Sequence, residues 1–230
     1  MSTHSSWIPR QVLVIGASRG LGLAFVAQYA AAGARVLGTA RDAEGRARIE
    51  AAGGHALTLD LTRTASVAGL AWQIDGEAFD LVLINAGVYG PRSSGLQPPT
   101  EAEFDQVMHT NVLGPMRVLP AVGEALAPGA RLAVISSRMG SMGLRSSAGG
   151  WLYRASKAAL NSVLCDAAQV LRGRALCVAL HPGWVRTDMG GPEADLDLTP
   201  AVAALRATLA AFGPEAHGGF FDPQGERLPW

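Results

Sequence analysis

The segment from Val12 to Ala32 constrains this chain more than any other. Val12–Ile15 is a short apolar run rich in β-branched residues, and Leu21–Ala32 carries the apolar spacing of a helix. Between them stands Gly16-Ala17-Ser18-Arg19-Gly20-Leu21-Gly22. A strand that turns through glycines directly into a helix is the first half of a β–α–β unit, and such units close in a parallel sheet. Gly33 directly after the periodic stretch supplies a stop.

The alternation continues along the chain. Arg35–Thr39 reads as a second strand, Ala43–Ala52 as a helix closed by Gly53-Gly54, and His55–Leu59 as a third strand. Ala65–Gln73 is the next helix and Asp80–Ile84 the fourth strand. After a loop at Pro91–Pro99, Thr100 caps a helix running from Glu101 towards Leu126, with Glu103 placed for a capping box and Gly114-Pro115 predicting a kink. Arg131–Ser136, Ala175–Leu180 and Gly219–Phe221 are the remaining strands, separated by helices over Trp151–Arg172 and from Thr199-Pro200 to Gly213. The pattern predicts an α/β fold: one doubly wound (Rossmann) domain over residues 11–230, with a mostly parallel sheet of about seven strands and helices on both faces. Residues 1–10 form a tail and residues 188–200 a short lid over the crevice at the carboxyl ends of the strands.

Composition removes several alternatives. With 49% apolar and 17% charged residues, the chain of 230 residues has ample material for a core and is not a disordered polymer. The formal net charge is zero and there are no runs of like charge, so the electrostatic footprint of a nucleic-acid binder is missing. No apolar run approaches the roughly 20 residues of a membrane span. Met1–Arg10 is polar, without the apolar segment of a signal peptide, and a cytoplasmic location is expected. Cys165 and Cys177, in a predicted helix and a predicted strand, read as buried thiols, and no Cys/His cluster has metal-ligand spacing.

The chemistry sits at the strand ends. The glycines of the first turn, with Ser18 and Leu21 among them, let the backbone approach a pyrophosphate whose charge meets the helix N-terminus. The spacing is Gly-x-x-x-Gly-x-Gly, and such a turn alone is a weak sign. The second strand ends without the acid that accepts from an NAD ribose; Arg41 follows, and with Arg19 it could clamp a 2′-phosphate, which favours NADP(H) over NAD(H). Asp60, followed by Leu61, could accept from an adenine amino group or serve as a helix N-cap. Tyr153 and Lys157 are four residues apart on one helix, so an ammonium could lower the phenol pKa from ~10 toward neutrality and let it exchange a proton with a substrate oxygen. Ser136-Ser137 ends the fifth strand, Asn85-Ala86-Gly87 ends the fourth, and Asn111 lies in mid-helix, where Asn needs a reason.

Taken in order, Gly16–Gly22, Asp60, Asn85–Gly87, Asn111, Ser136-Ser137, Tyr153-Arg-Ala-Ser-Lys157 and Pro182-Gly183-Trp-Val-Arg-Thr187 resemble the short-chain dehydrogenase/reductase family over nearly the whole chain. The resemblance implies Tyr153 as acid/base, Lys157 as its activator and ribose ligand, Ser137 rather than Ser136 as orienter of the carbonyl, and Asn111 in a water-linked proton relay. It also places Pro182, Gly183, Val185 and Thr187 beside the nicotinamide. Ile15 and Ile84 depart from the family pattern, in which many members carry Thr and Asn. Ser137–Ser141, the Tyr153–Lys157 segment and the stretch from Phe221 to Trp230 are similar to a narrower group, the C-factor-like and sniffer-like carbonyl reductases.

Met139, Met142, Leu144, Trp151, Trp184 and Met189 are expected to line an apolar, adaptable substrate pocket. The substrate is then an apolar aldehyde, ketone or quinone, or the matching alcohol. The family resemblance also implies a homodimer or homotetramer through the helices near 101–126 and 151–172, with Ala158, Ala159 and Leu160 suited to the contact and Trp230 available to a subunit interface. Two other readings compete. One is an NADP(H)-binding sensor or cell-signalling protein with little turnover, which the C-factor resemblance sustains. The other is a dehydratase or epimerase, disfavoured because no larger C-terminal substrate domain is present.

Overall fold

The computed structural model describes residues 7–230; most of the expected tail, residues 1–6, lies outside the described residues. The end of the tail is docked on the domain: the Arg10 amide, with that of Gln11 at the start of the first strand, donates to the Asp80 carboxylate, at 2.7 and 2.9 Å.

Seven strands form one sheet in the order β3-β2-β1-β4-β5-β6-β7. They are β1 (Gln11–Ile15), β2 (Arg35–Ala40), β3 (His55–Thr58), β4 (Phe79–Ile84), β5 (Leu126–Ile135), β6 (Ala175–Leu180) and β7 (Gly219–Phe221). All six pairings are parallel. Both faces are covered, which is why the strands read as apolar runs rather than as alternation. In β1, Leu13 and Ile15 enter the core on one face, and Val12 and Val14 enter the core on the other.

The helices are α1 (Gly20–Ala31), α2 (Ala43–Ala51), α3 (Thr64–Ala68), α4 (Leu70–Gln73), α5 (Glu101–Met108), α6 (Gly114–Glu124), α7 (Trp151–Val170) and α8 (Leu198–Ala211). No helix among the described residues is long and apolar enough to cross a membrane. The chain runs outward from β1 to β3, returns to β4 on the other side of β1, and continues to β7. Loops leaving β1 and β4 therefore diverge, and the gap between them is the crevice of a doubly wound sheet.

Four local readings change. The helix expected over 65–73 is two short pieces, α3 and α4. The kinked helix at 101–126 is α5 and α6 joined by a π-helical turn, His109–Leu113. β5 starts five residues early, at Leu126, through an irregular pairing with Phe79 that precedes the regular register. The lid can extend only to Asp197, since Leu198 opens α8. The Thr100 capping box is present, with the Thr100 hydroxyl accepting from the Glu103 amide and the Glu103 carboxylate accepting from the Thr100 amide.

Candidate active site

The first turn is shaped by close approach. Gly16 has φ +84°, and a Cβ there would lie 2.6 Å from the Ala86 Cα. A Cβ on Gly22 would collide with the Gly16 carbonyl oxygen, so the helix starts against the strand end only without a side chain. Three side chains fix the turn. The Thr39 hydroxyl accepts from the Gly16 amide at 2.9 Å, Asn85 Nδ2 donates to the Gly16 carbonyl at 2.7 Å, and Arg48 Nε donates to the Ser18 carbonyl at 2.8 Å. α1 has no side-chain cap and no acid in its first turn, so its amides face the cleft as anion donors.

A cleft of about 220 Å³ follows the strand ends from this turn. Gly16, Ser18, Arg19, Gly20, Leu21, Arg41, Asp60, Leu61, Asn85, Ala86 and Gly87 line it, with Tyr153, Lys157, Pro182 and Thr187 at its far end. Gly22 is packed behind the turn, and Gly183 and Val185 face the neighbouring cavity instead. Arg19 is engaged with Asp188 at 3.0 Å across the mouth. Asp60 is not a helix N-cap: its carboxylate accepts from the Thr62 amide and hydroxyl at 2.9 and 2.6 Å, closing a turn before α3. Those bonds, with the Arg41 and Arg63 charges, hold its carboxyl below the usual range against the opposing effect of partial burial.

A second cavity of about 490 Å³ opens beside the first. Tyr153 lines both, as do Leu21, Ser136, Pro182, Thr187 and Met189. Of the expected pocket residues, Met139, Leu144, Trp184 and Met189 line this second cavity. Met142 and Trp151 do not. Met142 points to solvent from a loop whose amides at Met142 and Gly143 donate to the Trp230 carbonyl, and Trp151 opens α7 on its outer side. The sequence reading missed Tyr89, Arg92, Arg138, Arg154 and His181 in the wall. Arg154 falls inside the Tyr153–Lys157 motif and Arg138 inside the Ser137–Ser141 stretch, but no spacing marks either as a wall residue, and only the fold brings the five together.

Ser137, Tyr153 and Lys157 meet where the clefts join. Tyr153 is 7% exposed and Lys157 3%, and the ammonium lies 5.7 Å from the phenol ring centroid. Lys157 Nζ donates to the Ile135 carbonyl at 2.8 Å. The expected depression of the Tyr153 pKa by Lys157 is not what this geometry gives. Burial pushes the phenol up to about 12, with the Ser137 hydroxyl opposing and Tyr89 reinforcing the shift. Burial likewise brings Lys157 down to about 8. Tyr89 stacks on Tyr153 with centroids 4.6 Å apart.

The two serines divide their work. Ser136 Oγ donates to Asn161 at 2.5 Å and is tied up, while the Ser137 hydroxyl accepts from the Met139 amide at 3.1 Å beside the phenol. Asn111 is fully buried in the π-helical turn. Its amide exchanges two 2.8 Å bonds with the Val88 backbone and donates to Ser156 at 2.9 Å. A Cβ on Gly87 would sit 3.4 Å from both Asn111 Oδ1 and Lys157 Nζ, so the two polar heads flank one point of the cleft. The segment after β6 is braced by Trp184 Nε1 to the Gly190 carbonyl at 2.9 Å and by the Arg186–Asp197 ion pair at 2.5 Å.

The family model for short chain dehydrogenases matches residues 10–196. The chain belongs to the short-chain dehydrogenase/reductase family. It is 40% identical over 154 residues to C-signal of Myxococcus xanthus, covering 66% of this chain and 92% of that protein. A short-chain dehydrogenase/reductase from Burkholderia multivorans with bound NADP superposes with TM-score 0.87 and 32% identity over 96% of this chain and 99% of the other. Sniffer, a carbonyl reductase of D. melanogaster, superposes with TM-score 0.84 and 27% identity over 96% and 99%. The resemblance to the C-factor-like and sniffer-like group stands with these relatives, and the fold is that of short-chain dehydrogenase/reductases.

One detail about association changes: Leu160 is buried against the sheet and is unavailable to a partner. The Trp230 ring stacks on Phe220 at 5.5 Å within its own chain and stays partly exposed. The cysteines are free thiols; Cys177 is buried and pushed up to about 12, and Cys165 is half-buried.

Proposed function

We propose that this oxidoreductase uses NADP(H) to interconvert a carbonyl and an alcohol. The observation that carries the proposal is the position of Tyr153, on the wall of both clefts. A nucleotide along the strand ends and a carbonyl compound in the larger cavity would meet at its hydroxyl. Bound NADPH supplies the hydride, and the products are NADP⁺ and the alcohol. The chain supplies the remaining proton and the orientation. Tyr153, neutral with its pKa near 12, donates the proton to the carbonyl oxygen, and Ser137 orients that oxygen. Lys157 keeps positive charge beside the phenolate that the transfer leaves. Asn111 fixes the backbone at Val88 and, through Ser156, the Tyr153 turn of α7, since the Ser156 hydroxyl donates to the Tyr153 carbonyl.

The amides of α1 suit the pyrophosphate, and Arg41 with Arg19 suits a ribose 2′-phosphate, which supports NADP(H) over NAD(H). Structural relatives crystallised with NADP support the same preference. The segment at 188–197 would close over the substrate. A cytoplasmic protein that associates with itself through α5, α6 and α7 agrees with the family.

The C-signal relative favours a second reading, a signalling protein that binds NADP(H) and turns over little. One variant separates the two. With Tyr153→Phe, the reductase reading expects NADPH consumption with a panel of aldehydes, ketones and quinones to fall by about 10²–10⁴-fold at unchanged NADPH affinity. Wild-type protein that binds NADPH tightly and consumes none with any acceptor would instead favour the signalling reading.

A further inference from the structure

Three arginines that the proposed reaction does not use stand around the larger cavity. Arg92 comes from the loop after β4, Arg138 from the loop after β5, and Arg154 from the first turn of α7. The Arg92 guanidinium lies 5.3 Å from the Tyr89 ring centroid, and Tyr89 in turn stacks on Tyr153. Positive charge is thus held one aromatic ring away from the proton-donating phenol.

Their partners are neutral. Arg92 donates to the Met189 carbonyl at 3.3 Å, and Arg154 donates to the Gly149 carbonyl at 2.9 Å and to Ser147 Oγ at 3.1 Å. The latter pair fixes the fork without compensating its charge. Among the described residues none of the three forms an ion pair, and no carboxylate lines this cavity. Three acids of the surrounding loops are engaged elsewhere: Asp188 with Arg19, Asp197 with Arg186, and Asp222 with the Gln224 and Glu226 amides. His181 in the wall registers the balance. After burial, the largest cause of its lowered pKa, the Arg138 charge pushes it down more than Asp222 pushes it up.

One side of the wall is apolar, with Met139, Leu144, Trp184 and Met189. A cavity with a cationic rim, an apolar side and a phenol at one end selects for three matching parts. We infer that the substrate bears an anionic oxyacid group, a carboxylate or a phosphate, joined through an apolar body to the reacting carbonyl, and that Arg92, Arg138 and Arg154 hold that group. Guanidinium forks match both oxyacids with paired hydrogen bonds. The inference rests on the carbonyl–alcohol reading and replaces the wholly apolar substrate expected from sequence.

The test compares NADPH-dependent reduction of para-formylbenzoate, para-formylphenyl phosphate and the neutral methyl para-formylbenzoate. One anion should exceed the ester in kcat/KM by about tenfold or more, chiefly through KM, and which anion does so distinguishes carboxylate from phosphate. In an Arg138→Gln/Arg154→Gln variant the anion-to-ester ratio should fall to about threefold or less; the ratio is insensitive to a general loss of active enzyme. Equal rates for anions and ester, or a preference that survives in the variant, would overturn the inference. If none of the three aldehydes is reduced, that counts against the carbonyl–alcohol reading, which the wider acceptor panel decides, and the anion site is read by fluorescence. The component of tryptophan emission lost in Trp184→Phe is titrated with benzoate, phenyl phosphate and benzyl alcohol. Saturable quenching by an anion but not by the alcohol, lost in the double arginine variant, sustains the site; no quenching by either anion overturns it.

Discussion

At Tyr153 burial and the Ser137 hydrogen bond pull against each other, and burial is the larger effect. The phenol stands near 12 and Lys157 near 8, so from neutral pH to about 8 the pair is a neutral phenol beside an ammonium. That is the state able to give a proton to a carbonyl. Above about 8 the ammonium is lost first, and with it the charge that balances the phenolate. kcat/KM for reduction should therefore be level below that value and fall above it. Lys157→Arg should move the falling limb upward, because a guanidinium does not titrate there; a profile unchanged a full unit either side of 8 would contradict the assignment. His181 gives a stability prediction. Its folded pKa is about 4 against an ordinary 6.5, because it is buried and faces Arg138, with Asp222 opposing. The folded state disfavours the proton, so the contribution is present above 6.5 and is lost as pH falls from 6.5 to 4. Urea melts should show a loss of up to about 3 kcal/mol across that window, and a smaller one in His181→Asn. Tyr153 and Lys157 could be singled out from sequence because their spacing is local, and Ser137 because its pair ends the fifth strand and resembles the family pattern. The sign of the Tyr153 shift could not, since it depends on Tyr89 and on the walls that bury the ring.

Elements decide how those residues are presented. α1 starts hard against β1 only because Gly22 carries no side chain. Gly22→Ala must push the Gly16 carbonyl away, and that carbonyl is held by Asn85. The expected result is a loss of about 1–3 kcal/mol in stability and a disproportionate loss of NADPH affinity, measured by melts and by nucleotide titration on the same preparation. Unchanged affinity would detach the turn from the nucleotide. This element was legible because glycine spacing is itself a backbone statement. The π-helical turn at His109–Leu113 was only half legible. Asn111 in mid-helix and Gly114-Pro115 announced an interruption, and Pro115 has no N–H to give the Asn111 carbonyl. The interruption takes the form of an extra residue in the turn, with the Gly114 amide donating to the His109 carbonyl, rather than a simple kink. Nothing local distinguishes the two; the Val88 backbone and Ser156, which hold the Asn111 side chain, are set by packing. β5 was read short for a similar reason, because Ala127-Pro128-Gly129 looks like a turn until Leu126 is seen to pair with Phe79.

At the scale of the whole molecule, the nucleotide cleft is lined by chain from Gly16 to Met189 and takes residues from the ends of β1, β2, β4 and β5. The order of elements was legible because parallel strands buried on both faces leave apolar runs of fixed length between helices. The composition of the second cavity was not, because Arg92 and Arg138 in loops and Arg154 on α7 come from separate elements that only the closed sheet brings together. A ligand that bridges so many strand ends binds only the assembled fold, so binding must raise the melting temperature. At a hundred times its Kd a nucleotide adds about 2.7 kcal/mol, which for a domain of this size corresponds to about 5–10 °C. NADPH should give that shift, and NADH at the same concentration distinctly less. Arg19 is shared with Asp188, whereas Arg41 makes no hydrogen bond or ion pair among the described residues. The difference between the nucleotides should therefore rest mainly on Arg41, and Arg41→Ala should bring the NADPH shift down to the NADH value while leaving the NADH shift in place. Equal shifts with both nucleotides in the wild type would remove the basis for an NADP preference. A difference that persists in Arg41→Ala and disappears in Arg19→Ala would move it to the other side of the cleft mouth, where the nucleotide would have to displace Asp188 to be bound.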